Sequence, residues 1–198
     1  NAENIIALMT PILKSISTEV GCKSANLALQ IYGGHGYIKD HGIEQLVRDA
    51  RIAPIYEGTN GIQALDLIGR KMQIDNGALF ESFFSIVNSY LDTINSNNLM
   101  KDILNIFNNS FSDLKDTISY LRSLEENHDE INGPAVEFLE MFSYISIGFV
   151  WLKMMNLSFD IKNKENSEFF ETKIATGKYF FNKIMPKTSY LKLKIIGG

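Results

Sequence analysis

Phe138-Leu139-Glu140-Met141-Phe142-Ser143-Tyr144-Ile145-Ser146-Ile147-Gly148-Phe149-Val150-Trp151-Leu152 is the stretch that decides the fold. Within it Phe138, Phe142, Ile145, Phe149 and Leu152 recur at spacings of three and four, and Phe159 extends the seam past an interruption at Asn156. That spacing keeps side chains on one face of an α-helix, which turns once every 3.6 residues. Asn132-Gly133-Pro134 supplies the start of this helix. Its most apolar run, Met141 to Met155, carries Lys153 and falls short of the roughly 20 residues that span a bilayer. The run reads as a buried core helix, and docking of residues 135–159 on a membrane is the less economical reading.

On either side the same periodicity continues. Phe80, Phe83, Val87, Leu91 and Ile94 form one stripe, and Ile103, Phe107, Phe111, Leu114, Ile118 and Leu121 form another. Phe170, Ile174, Phe181 and Ile184 make a fourth, stopped by Pro186. Four such faces can bury one another as a bundle. The tail Leu191-Lys192-Leu193-Lys194-Ile195 alternates like a strand, although five residues are too few to decide it. Nearer the N-terminus a helix is expected from about Pro11 to Tyr32, ended by Gly33-Gly34. A short helix from Ile43 to Ile52 follows, broken by Pro54, and Thr59 is an N-cap for a helix through Met72. The polar stretch Gln73 to Gly77 marks a boundary, giving units at 1–75 and 76–198. The expected class is all-α.

Composition narrows the function. The chain has 198 residues, 45% of them hydrophobic, which suffices for a substantial core. Nineteen Lys and Arg against 23 Asp and Glu leave a net charge of −4, which argues against nucleic-acid binding. One cysteine, Cys22, excludes a disulfide scaffold and suits a reducing compartment; with three scattered histidines it makes no zinc site. No initiator Met or signal peptide is visible, and the chain is read as a piece of something longer.

Chemistry-bearing residues concentrate in the first 75 positions. Gly33-Gly34-His35-Gly36-Tyr37 follows a helix rather than a strand, so it supports neither a dinucleotide fingerprint nor a P-loop. By itself it reads as a helix stop. Ile55-Tyr56-Glu57-Gly58-Thr59-Asn60 puts a carboxylate in a loop between a helix-breaking proline and a helix start. Pro54, Ile55 and Tyr56 could desolvate Glu57 and raise its pKa towards a general base's range, while the helix N-terminus favours the charged form. The plain alternative is an acidic residue ahead of an N-cap. Glu44 and Arg48 are spaced for a surface ion pair.

In this order and spacing, three segments are specific. Ala28-Leu29-Gln30-Ile31-Tyr32-Gly33-Gly34-His35-Gly36-Tyr37, Arg48-Asp49-Ala50-Arg51-Ile52 and Ile55-Tyr56-Glu57-Gly58-Thr59-Asn60-Gly61-Ile62-Gln63 resemble the C-terminal helical domain of the flavin-dependent acyl-CoA dehydrogenases. The strong resemblance covers Leu8 to Lys71. Residues 78–198 are similar, more loosely, to the C-terminal extension of a long bacterial-type subgroup, as is the phrase from Gly61 to Lys71.

The resemblance implies α,β-dehydrogenation of an acyl-CoA thioester, FAD as hydride acceptor and an electron-transferring flavoprotein as reoxidant. It assigns Glu57 as catalytic base, with its backbone N–H among the donors to the thioester carbonyl, and Gly58 where substrate lies against the backbone. Thr59 and Gly61 match flavin-contacting positions. Gln30 and Gly34 match positions reaching the FAD of a neighbouring subunit, which implies a homo-oligomer, dimer or tetramer. A cytoplasmic location follows for a bacterial protein, or the mitochondrial matrix for a eukaryotic one. The family's N-terminal helical and central β-domains, which hold most of the flavin and the acyl chain, are not in these residues. The chain alone is therefore expected to neither hold FAD tightly nor turn over substrate. Two rival readings stand beside this one: a non-enzymatic helical scaffold derived from the family, and an acyl-CoA oxidase.

Overall fold

A computed structural model describes residues 2–94, 98–124, 128–161 and 167–197. Among them there are helices and turns and no strand. Helix α1 runs Ala2–Tyr32, and two short 3₁₀ turns, Gly33–Tyr37 and Lys39–His41, reverse the chain into α2, Ile43–Arg51. Next come α3 (Asn60–Leu65), α4 (Ala78–Ile94), α5 (Lys101–Ser123), α6 (His128–Asn132), α7 (Ala135–Ile161), α8 (Ser167–Tyr179) and α9 (Lys187–Gly197). Wider π turns extend α3 over Asp66–Lys71 and α8 over Phe180–Ile184.

The predicted stripes form the core. All six α5 positions are buried, as are Phe80, Phe83, Val87 and Ile94 of α4 and Phe138, Phe142, Ile145, Phe149 and Leu152 of α7. The Phe142 ring stacks on Phe80 at 5.7 Å and meets the edge of Phe83 at 5.1 Å. Helix α7 is the central post: it packs on α1, α3, α5, α8 and α9 and buries Leu139, Met141 and Met155 off its predicted seam. Leu8, Ile12, Ala64, Leu67 and Ile68, from the first 75 residues, join the same continuous core.

One local expectation is corrected and one open point is decided. Helix α1 does not begin at Pro11; the proline lies inside it, buried with Leu8, Ile12 and Ser15. An interior proline gives up one helical hydrogen bond, at a cost of about 3 kcal/mol. Full burial of Leu8 and Ile12 on either side, each 0% exposed, holds the helix together across that gap. The tail, whose alternation alone did not decide its type, is helical: in α9 Thr188, Leu191 and Ile195, at spacings of three and four, are buried while Leu193 is exposed.

By length and hydropathy alone, α1 with its following turn and α7 could cross a membrane. The apolar residues of α7 are mostly inside the bundle. On α1, Ile6, Leu13, Val20 and Leu27, each seven residues from the last, are exposed.

Candidate functional site

Helix α2 folds back beside α1, where the Cys22 thiol sits 3.1 Å from the Ala50 carbonyl oxygen. This antiparallel return carries the chain from the far end of α1 back to the level of Lys14, Thr18 and Glu19. There residues 54–60 close on themselves, with the Asn60 amide donating to the Pro54 carbonyl at 3.2 Å. Pro54 is buried.

Inside this loop Glu57 has φ +55°, the left-handed region, and is the sole non-glycine there among the described residues. Gly58 follows at φ +81°. A non-glycine residue in this region costs about 1–2 kcal/mol and persists where its surroundings over-determine it. They do so here. Gln63 Nε2 donates to the Glu57 carbonyl at 3.1 Å, and the Lys14 ammonium donates to the Gly58 carbonyl at 2.7 Å. Lys14 also donates to Asn60 Oδ1 at 2.9 Å, while Asn60 Nδ2 donates to Glu19 at 2.8 Å and to the Thr18 hydroxyl at 3.2 Å. Thr59 caps α3 as predicted, its hydroxyl accepting from the Ile62 amide at 3.2 Å.

The result is a carboxylate presented on a stiff loop. Glu57 is exposed, and its backbone N–H donates no hydrogen bond among the described residues. Two of the residues flanking it are themselves open to solvent: Ile55 is 47% and Tyr56 is 51% exposed. Ile52, Ile62 and Leu65 around the loop are exposed as well. The arrangement offers a carboxylate and a free amide beside a glycine, framed by apolar surface.

Of the residues singled out from sequence, Glu57, Gly58, Thr59 and Gly61 come together here. Gln30 and Gly34 do not. Gln30 lies 16 residues beyond Lys14 on α1, about 24 Å at 1.5 Å per residue, and Gly34 is in the turn that follows. In that turn the His35 and His41 rings meet edge to face at 5.4 Å. Both Gln30 and Gly34 are exposed. An added Cβ would meet nothing within 4 Å at Gly34, and at Gly61 only Thr59 Oγ1 at 3.7 Å, so both glycines leave open space against the backbone. Glu44 and Arg48 form the expected surface ion pair at 2.9 Å. Among the described residues no three His, Cys, Asp or Glu side chains converge as a metal site would require.

Sequence reading missed Lys14, Thr18, Asn60 and Gln63 as loop-holding residues. Asn60 and Gln63 lay inside the quoted segment, whereas Lys14, 44 residues upstream of Gly58, carried no local signal.

Comparison with known proteins bears on all of this. A family described as acyl-CoA dehydrogenase, C-terminal domain, matches residues 2–73, and one described as acetyl-CoA dehydrogenase C-terminal like matches residues 83–198. The chain is 43% identical over 86 residues to 3-methylmercaptopropionyl-CoA dehydrogenase of Ruegeria pomeroyi, covering 43% of this chain and 15% of that protein. It is 26% identical over 192 residues to the broad-specificity linear acyl-CoA dehydrogenase FadE5 of Mycobacterium tuberculosis, covering 90% of this chain and 31% of that protein. A butyryl-CoA dehydrogenase of Syntrophomonas wolfei is 24% identical over 191 residues, 93% of this chain and 31% of that protein. The chain thus spans about a third or less of these relatives. With the second family description covering more than half of the residues and the first covering most of the remainder, the chain belongs to the acyl-CoA dehydrogenase family.

Proposed function

We propose that this chain is the C-terminal part of a flavin-dependent acyl-CoA dehydrogenase that converts an acyl-CoA thioester to the trans-2-enoyl-CoA. The observation that carries the reading is the left-handed Glu57-Gly58 pair, which exposes a carboxylate and an unengaged amide on the same loop. A general base needs a carboxylate within reach of the proton it takes, and Gly58 adds no side chain to block the approach.

In this reading a Glu57 carboxylate oxygen takes the α-proton and keeps it. The Glu57 amide donates to the thioester carbonyl oxygen, where negative charge gathers as the α-proton leaves. The chemistry that FAD supplies when bound is acceptance of the β-hydrogen with its electron pair, which leaves the carbon–carbon double bond. Thr59 and Gly61 would hold the cofactor's ring system, and the open space over Gly61 suits a planar group lying against the backbone. Gln30 and Gly34 would meet the FAD of a second subunit. Their distance from Glu57 and their exposure support a site shared across a homo-oligomer.

The rest of the parent protein, on this proposal, covers Ile55, Tyr56, Ile62 and the exposed α1 stripe, and excludes water from Glu57. We retain 1–75 as the part carrying the base and 76–198 as the extension that buttresses it through α7. An electron-transferring flavoprotein is the proposed electron acceptor, and the isolated chain is proposed to be inactive.

The test is product analysis in the full-length parent. Straight-chain acyl-CoAs and 3-methylthiopropionyl-CoA, the latter prompted by the name of the Ruegeria relative, would be incubated with an artificial one-electron acceptor. The reading expects one of them to lose two hydrogens, detected by mass. A flavin-loaded parent that dehydrogenates none would contradict it.

A further inference from the structure

We propose that Lys14 is a positioning residue for the Glu57 base. This rests on the reading of Glu57 just given. Lys14 touches no reacting atom in the proposal; it acts by holding the loop in its left-handed form.

Three observations converge. First, Lys14 spends its charge on neutral oxygens of one short segment, the Gly58 carbonyl at 2.7 Å and Asn60 Oδ1 at 2.9 Å, and forms no ion pair among the described residues. Bonds from a charged donor are shorter and stronger than neutral ones. Second, its stem rises from the anchored part of α1, between Ile12 and Ser15, both buried. The ammonium is thereby tied to the bundle rather than to a mobile surface. Third, two successive carbonyls are each fixed by a side chain, that of Glu57 by Gln63 and that of Gly58 by Lys14. Fixing both peptide planes sets the torsions of Gly58, at φ +81°, and so the direction in which the chain leaves Glu57; letting them go would let the carboxylate's position drift.

Asn60 ties the same loop to α1. Its side chain bridges Lys14, Thr18 and Glu19, all on α1, while its amide closes the loop on Pro54. Removing the Lys14 ammonium leaves the Gly58 carbonyl without its partner and loosens Asn60 together with it. The loop would still be capped by Thr59, so the fold is retained while the carboxylate's position spreads.

The experiment uses the full-length flavoprotein with Lys14→Met, which keeps the stem and drops the donors, alongside Lys14→Arg, Lys14→Gln and Glu57→Gln. Three readouts are taken: the anaerobic rate of flavin reduction at saturating acyl-CoA, the Kd of a non-oxidisable thioether acyl-CoA, and hydrogen exchange in peptides spanning residues 55–60. Lys14→Met is expected to slow reduction on the order of 10–100-fold, as an ångström-scale misplacement does. Its Kd is expected to stay within about twofold, with exchange faster in residues 55–60 and unchanged elsewhere. Lys14→Arg should recover most of the rate, and Lys14→Gln should fall between. A Lys14→Met protein that reduces flavin at the wild-type rate with unchanged exchange overturns the proposal. Were Lys14→Met to lose flavin, equal rates for Lys14→Gln, Lys14→Arg and wild type would overturn it instead. If Glu57→Gln is inactive while Lys14→Met is normal, only the role of Lys14 fails; if Glu57→Gln reduces flavin as fast as wild type, the assignment of the base fails.

Discussion

Gln63 Nε2 donates to the Glu57 carbonyl at 3.1 Å, and a Cβ on Gly58 would stand 2.9 Å from that same nitrogen. The bond therefore passes through space that only glycine leaves open. Gly58 also sits at φ +81°, where any other residue is strained. We predict that Gly58→Ala destabilises the chain by about 1–2 kcal/mol from backbone strain, because alanine pays the left-handed penalty. The Gln63 amide can swing aside, but doing so breaks its bond to Glu57. In the full-length flavoprotein the variant should therefore lose more reduction rate than its drop in thermal stability suggests. Full rate with a lowered Tm would place the role of Gly58 in folding alone.

Phe142 is the aromatic hub, wholly buried and within 5.1–6.2 Å, ring to ring, of Phe80, Phe83 and Phe138. Phe142→Ala removes contacts on three sides and leaves a cavity that α7 cannot close, since it is gripped by helices all round. The expected cost is about 3–5 kcal/mol. Urea unfolding should show it as a lowered midpoint with an unchanged slope.

These two sites also mark where sequence was sufficient. A spacing of three and four in Phe, Ile and Leu has one physical reading, an apolar helix face, and every α5 position read that way is buried. Pro11 misled because a local rule about its missing N–H was outweighed by burial of Leu8 and Ile12, which depends on the tertiary partners of α1. The 191–195 tail was left open because five alternating residues sample both periods, and packing of Leu191 and Ile195 decides for the helix. At the site, the carboxylate, the glycine and the cap stood in one segment and were legible. The left-handed φ of Glu57 and the grip of Lys14 were not, since both depend on contacts between residues far apart in the chain.

The Thr188 hydroxyl, on α9, lies 2.9 Å from Ser110 Oγ of α5 and 2.8 Å from the Met185 carbonyl, with Thr188 and Ser110 both buried. Thr188→Val keeps the shape and deletes the hydroxyl, stranding polar groups away from water. We predict a loss of about 1–3 kcal/mol, read by thermal or urea unfolding. The double variant Thr188→Val with Ser110→Ala should recover part of it.

The Lys194 ammonium, by donating to the Glu137 carboxylate, holds Glu137 below its ordinary value of 4.5. A carboxyl with a depressed folded pKa contributes stability that is present above its unfolded value and is lost as pH falls through the folded one. Glu137→Gln should therefore be less stable than wild type at neutral pH, and the gap should close below pH 4.5. Urea midpoints measured from neutral pH down to about pH 3 would show the convergence. A gap that widens in acid would contradict the sign.

Anaerobic flavin bleaching in the full-length parent distinguishes Glu57 as the general base from any other residue. An acyl-CoA panel would be added to wild type and to Glu57→Gln while the oxidised flavin absorbance is followed. Wild type should bleach, whereas Glu57→Gln should retain flavin but stay oxidised, slowed by at least about 100-fold, as loss of a positioned base entails. Equal bleaching of the two proteins would contradict it and move the base to another residue.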